Sequence, residues 1–128
     1  MSFTILIGGR AGEGVAQAAE ILGKLLTRYG FYVFNYRDYP SLIRGGHNFN
    51  VLTFDKEPVY SQEEKADIML ALNQETIELH SKKLKRKGII FCEKGVKSKK
   101  CFEIDTDKIL GEIRAEKIVK NSIFLGAI

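Results

Sequence analysis

The first 36 residues impose the strongest constraint on the fold. Phe3 to Ile7 is a short apolar run that stops at Gly8-Gly9, the pattern of a buried strand. Gly8 to Gly14 is a glycine-rich turn. Apolar residues then recur at Val15, Ala18, Ala19, Ile21, Leu22, Leu25 and Leu26, the spacing of one helix face, over a helix predicted to run to Tyr29. Gly30 supplies the stop. Phe31 to Tyr36 is rich in aromatic and β-branched residues and reads as a second strand. Strand, glycine turn, helix and strand in this order make a βαβ unit, for which a right-handed crossover and a parallel strand pair are expected.

The rest of the chain continues the alternation. Arg37 to Gly46 reads as a loop, His47 to Phe54 as a strand with one more exposed face, and Val59-Tyr60 as a short edge strand after a turn at Asp55 to Pro58. Asp67 to Leu72 is a further buried strand, and Asn73 is placed to cap a helix from Gln74 to Leu84. Gly88 to Cys92 and Cys101 to Ile104 are predicted strands around a lysine-rich turn at Gly95 to Lys100. A helix from Asp105 or Thr106 to Ile113, a short apolar pair Ile118-Val119 and an apolar stretch Ser122 to Ile128 complete the reading. The predicted class is α/β: a three-layer α/β/α sandwich with a mostly parallel, mixed, Rossmann-like sheet.

Composition excludes several classes. With 128 residues, 45% of them hydrophobic and 28% charged, the chain is one ordinary globular domain. No uncharged apolar run approaches the ~20 residues that span a bilayer, and the N-terminus has no basic stretch or cleavage site of a secretory signal. A cytoplasmic protein with no membrane partner is therefore expected. Cys92 and Cys101 form no CxxC pattern, and with only His47 and His80 beside them no zinc or iron–sulfur set can be assembled. Two reduced thiols are the expectation. The net charge of +4 is concentrated: residues 81–101 hold nine lysines and arginines against Glu93 alone. Such a segment could attract a polyphosphate, or be a solvated helix end and loop. No aromatic residue interleaves with the lysines, so nucleic acid is not an expected partner.

Two segments carry the candidate chemistry. Gly9, Arg10, Gly12, Glu13 and Gly14 lie between a strand and a helix N-terminus, where unpaired N–H groups and the helix dipole favour an anion. Their spacing is neither the dinucleotide fingerprint nor a P-loop, so the alternative is a tight turn that needs glycine only for packing. Arg37 to Asn48 follows the second strand and should emerge on the same sheet edge, where open parallel sheets bind ligands. Arg44 could clamp a phosphate or carboxylate, or pair with Asp38 or with another subunit. Asp38 itself lies where a ribose-binding acid would sit. His47 could carry a proton or simply open its strand with a hydrogen bond, and His80 is expected to be exposed. No nucleophile–base pair or spaced carboxylates are present, so no catalytic residue and no metal ligand is predicted.

Ile7-Gly8-Gly9-Arg10-Ala11-Gly12-Glu13-Gly14-Val15 and Tyr39-Pro40-Ser41-Leu42-Ile43-Arg44-Gly45-Gly46-His47-Asn48 together resemble the gamma subunit, or gamma domain, of 2-oxoacid:ferredoxin oxidoreductases. Asp67 to Asn73 is similar to that family's central strand, and Asn121 to Ala127 to its late Asn…Leu-Gly-Ala segment. The wording of the second block is most like the form fused to the N-terminus of the alpha subunit. The resemblance implies a component of an enzyme that oxidatively decarboxylates a 2-oxoacid on thiamine diphosphate. Electrons pass through iron–sulfur clusters to ferredoxin, and acyl-coenzyme A is released. It implies that thiamine and clusters belong to other parts, and that this part packs on alpha, in a complex with beta, and helps form the coenzyme A site. Gly9, Arg10, Gly12, Glu13, Gly14, Ser41, Arg44, Gly45, Gly46 and His47 are the residues so implied. It further implies one gamma-type domain over residues 1–128 that lacks its C-terminal portion. Such a domain would be inactive alone and prone to self-associate. The alternatives are a free-standing Rossmann-like nucleotide or coenzyme-binding module, and an interaction domain whose glycine turn binds nothing.

Overall fold

The computed structural model describes residues 2–10, 14–38, 47–62, 64–93, 95 and 101–104. Among the described residues the elements are β1 (Phe3–Arg10), α1 (Val15–Arg28), β2 (Tyr32–Asp38), β3 (His47–Asp55), β4 (Ala66–Ala71), α2 (Gln74–His80), β5 (Leu84–Glu93) and β6 (Cys101–Ile104), with a 3₁₀ turn at Ser81–Lys83. The six strands form one sheet in the order β2-β3-β1-β4-β5-β6. The pairs β1/β4, β4/β5 and β5/β6 are parallel, whereas β3 is antiparallel to both β1 and β2. The sheet is therefore mixed and mostly parallel, with a helix on each face.

Alternation along β1 sorts the two cores. Ile5 and Ile7 point to one face and pack with Leu52 and Leu70 against Val15, Ala18 and Ala19 of α1. Leu6 points to the other and packs with Val51, Met69, Ile90 and Cys92 against Ile77 of α2. Six consecutive buried residues, Thr4 to Gly9, make β1 the centre of the sheet. Asn73 caps α2 as predicted: its side-chain oxygen accepts the Thr76 N–H at 3.0 Å and the Thr76 hydroxyl at 2.7 Å. Asp67, at the start of β4, accepts the Thr4 N–H at 2.8 Å and holds the Lys85 ammonium at 3.1 Å, tying β1, β4 and β5 together.

Six expectations are corrected. β1 and β2 run in the same direction but are not neighbours, because β3 lies between them and pairs with both. A crossover helix fixes direction, but an antiparallel strand entering from the following loop can still take the adjacent slot. Arg37 and Asp38 belong to β2 rather than to a loop, and Val59-Tyr60 is not a strand. α2 stops at His80, after which the 3₁₀ turn leads into β5 at Leu84, so Lys85, Arg86 and Lys87 lie on a strand and not on a helix end. Cys92 and Cys101 are joined by a disulfide rather than reduced: parallel pairing of β5 with β6 brings their Cα atoms to 6.1 Å, within bridging range. His80 is buried, as described below. The elements predicted over residues 105–128, the loop residues 39–46 and most of the lysine-rich turn lie outside the described residues.

Candidate functional site

The antiparallel entry of β3 completes one sheet edge made of four strand ends. The end of β1 and the start of β3 are register partners, with Arg10 opposite His47 and Gly9 opposite Asn48. β2 ends at the same level, Asp38 opposite Phe49, and β4 ends beside Gly8. Arg10 and His47, 37 positions apart in the chain, are thus brought together. α1 begins at this edge: Gly14 is its N-cap with φ 83°, a left-handed conformation that favours glycine, and among the described residues no side chain caps the first turn. Its carbonyl accepts the Ala18 N–H at 2.9 Å. Such an end presents N–H groups and a positive dipole to an anion.

The glycines at the end of β1 have a second, purely steric reason. A Cβ on Gly8 would lie 2.5 Å from Thr76 Cγ2, and one on Gly9 would lie 3.0 Å from Leu72 Cβ and from Val15 Cγ2. Gly8 and Gly9 belong to the strand rather than to the turn, and they allow α2 and the start of α1 to close down on it. Of the other candidate residues, Gly12, Glu13, Ser41, Arg44, Gly45 and Gly46 lie outside the described residues.

Next to this edge stands a pair that sequence reasoning divided. His47 Nε2 lies 2.9 Å from His80 Nε2, so one imidazole donates its N–H to the other. The Phe49 ring packs on both, at 4.4 Å from His80 and 5.9 Å from His47 between centroids, and the Lys83 ammonium sits 5.2 Å from the Phe49 centroid. His80 is only 4% exposed. Burial, then the neighbouring His47 and Lys83, lower its pKa to about 4. At neutral pH it is an uncharged hydrogen-bonding group and no proton carrier. Its role is to clasp α2 to the start of β3. Its burial had a readable signal: Thr76, Ile77 and His80 fall at i, i+1 and i+4 on the covered face of α2. The partnership with His47, 33 residues away, had none.

Among the described residues no three histidine, cysteine or carboxylate side chains converge as metal ligands, and no helix is long and apolar enough to cross a membrane.

Comparison with known proteins shows the family of the chain. Residues 4–128 match the family model described as pyruvate ferredoxin/flavodoxin oxidoreductase. A 2-oxoacid:ferredoxin oxidoreductase subunit alpha from Sulfolobus sp is 33% identical over 118 residues, which is 92% of this chain and 18% of the relative. The chain therefore spans under a fifth of the length of that curated relative. Among solved structures, the gamma subunit of a keto/oxoacid ferredoxin oxidoreductase from Geobacter sulfurreducens PCA superposes with a TM-score of 0.85 at 22% identity, covering 99% of this chain and 74% of that one. A 2-oxoglutarate:ferredoxin oxidoreductase from Magnetococcus marinus, solved with 2-oxoglutarate, coenzyme A and succinyl-CoA bound, gives 0.78 at 21% identity, covering 94% of this chain and 22% of that one. At these identities the structural likeness is one of fold.

Proposed function

Because the chain belongs to the pyruvate ferredoxin/flavodoxin oxidoreductase family, we propose that it is the gamma component of a 2-oxoacid:ferredoxin oxidoreductase. In this reading it packs on a thiamine-binding alpha part, in a complex with a beta part, and contributes the coenzyme A side of the site. Oxidative decarboxylation on thiamine diphosphate, and electron passage through iron–sulfur clusters to ferredoxin, belong to the other parts. The chain contributes binding and no catalytic group, and acts in the cytoplasm.

The observation that carries this reading is the meeting of Arg10 with His47 at the sheet edge, beside the first turn of α1, which no described side chain caps. A guanidinium and an open helix end suit the phosphate groups of coenzyme A, a ligand seen in the Magnetococcus marinus relative. Arg44, which lies outside the described residues, is the second cation that the resemblance implies for this site. The test is Arg10→Ala and Arg44→Ala in the assembled enzyme. Losing one charge-assisted contact of ~1.5–3 kcal/mol raises the coenzyme A KM by roughly one to two decades while gel filtration shows the complex intact. An intact complex with unchanged coenzyme A kinetics in both variants would reject the reading.

A further inference from the structure

The Cys92–Cys101 disulfide joins an edge strand of the sheet to its body. β6 is the last strand in the sheet order. Among the described residues its ladder partner is β5 alone, through four register pairs from Ile90–Cys101 to Glu93–Ile104. Seven residues, 94–100, connect the two strands, where parallel neighbours ordinarily need a dozen or more. Beyond the ladder, the Phe102 ring lies 5.7 Å from that of Phe91, and Phe102 is 60% exposed. A short ladder and a short connection hold β6, and the disulfide ties it to Cys92, which pairs in turn with Ala71 of β4.

The two sulfurs stand in different surroundings. Cys92 is fully buried in one cluster with Leu6, Met69, Ala71 and Ile90. As a thiol it is an ordinary small apolar core residue, so the core does not need the bond. Cys101 is half-buried at the rim of the same cluster, and Lys99 and Lys100 precede it in the chain. Neighbouring ammonium groups favour the thiolate, which is the attacking form in exchange. One cysteine is reachable and activated, and the other is held back to resolve. We propose that the pair is a thiol–disulfide exchange site for low-molecular-weight thiols and disulfides, a latch on β6 rather than a permanent staple. In closing, the Cys101 thiolate attacks one sulfur of a small disulfide RSSR; a mixed disulfide forms at Cys101 and one RS⁻ leaves. The Cys92 sulfur then attacks the Cys101 sulfur, and its proton goes to the second RS⁻ as that departs. Two protein thiols are oxidised and one RSSR is reduced to two RSH. Opening is the reverse, and it frees β6 while β1 to β5 stay folded. Where disulfides occur in the cytosol they are transient and redox-sensing in this way. The inference stands independently of the gamma role.

The experiment equilibrates the full chain with reduced and oxidised glutathione, traps free thiols by alkylation, counts them by mass and follows amide hydrogen exchange. In ~10 mM reduced glutathione with ~1% of the oxidised form, both cysteines label. Exchange over Cys101–Ile104 then speeds up at least about tenfold, while β1 and β4 keep their protection. Excess oxidised glutathione restores the bond and the slow exchange. Cys92→Ala stops at one glutathione on Cys101, whereas Cys101→Ala leaves the buried Cys92 without glutathione. If Cys92→Ala does not fold, peptide mapping of the mixed disulfide trapped early in reoxidation of the wild type reads the same order, and glutathione found on Cys92 overturns it. A bond that persists in reduced glutathione and opens only when denaturant unfolds the chain is a permanent staple and overturns the inference. Reduction that loosens β1 and β4 as much as β6, or that leaves exchange over β6 unchanged, overturns it equally.

Discussion

Gly8→Ala is the sharpest probe of how the sheet edge is built. Gly8 sits in the central strand between Phe49 of β3 and Ala71 of β4, with Thr76 of α2 directly above it. An added methyl would stand 2.5 Å from Thr76 Cγ2 and 2.7 Å from its Oγ1, so one side must move by more than half an ångström. Thr76 cannot move freely: it is fully buried, and both its N–H and its hydroxyl are bound by the Asn73 cap. Overpacking of this kind costs about 1–3 kcal/mol, and a partly broken cap adds about 1. The stiffer unfolded chain returns at most ~1 kcal/mol. The net loss is ~2–3 kcal/mol, or a Tm lower by roughly 6–15 °C, measured by urea and thermal unfolding. Thr76→Ala removes the two clashing atoms and leaves Thr76 Cβ at 3.2 Å as the nearest. In that background Gly8→Ala therefore costs less than ~1 kcal/mol, a coupling that a double-mutant cycle reads directly. Wild-type stability for Gly8→Ala, or an equal cost in both backgrounds, would refute the packing account of this glycine.

Other consequences follow from the same contacts. His80, neutral in the fold with a pKa of about 4 against 6.5 when unfolded, takes up its proton more readily in the unfolded chain. Stability is therefore full above pH ~6.5 and falls towards pH 4 by up to about 3 kcal/mol, and thermal melts of His80→Phe lose this slope. The Cys92–Cys101 disulfide closes a short loop with a sequence separation of nine, so reduction or Cys101→Ser lowers stability by about 2.5–3 kcal/mol. Alkylation without reductant labels no thiol; two labelled cysteines would contradict the cross-link. Asp67→Ala leaves the Thr4 N–H and the Lys85 ammonium without their acceptor and costs about 1–3 kcal/mol in a urea titration, whereas an unchanged midpoint would deny Asp67 its place as a tie between three strands.

Local pattern carried most of the elements. The apolar run of β1, the helical stripe of α1 and the Asn73 cap are short-range signals: α1 ends one residue before its expected bound and the cap is where it was expected, while β1 runs three residues past Ile7, to Arg10. What the chain did not disclose is non-local. Nothing near Phe31 to Tyr36 tells that β3 will separate β2 from β1, because the slot is decided by which strand edge the returning chain meets. The length of β5 was hidden for a different reason: Lys85, Arg86 and Lys87 read as solvated helix and loop, yet a bulge lets three basic residues stand in a strand with their charges outside the ladder. His80 was readable as buried from its helical phase, but its hydrogen bond to His47 depends on α2 lying across β1 towards β3. At the candidate site, the meeting of Arg10 with His47 follows from antiparallel register, whereas the expectation that the two segments share an edge rested on β1 and β2 ending on the same side of the sheet, which they do although β3 lies between them.

The most direct test of the gamma role is reconstitution with and without this chain. The alpha and beta parts, supplied with thiamine diphosphate, a 2-oxoacid, a viologen acceptor and varied coenzyme A, are assayed alone, with the 128-residue chain, and the chain is assayed by itself. The account predicts no turnover from the chain alone, and a coenzyme A KM for the assembled enzyme at least about tenfold lower than that of the parts lacking it. The same coenzyme A KM and rate in the presence and absence of the chain, or turnover by the isolated chain, would contradict it.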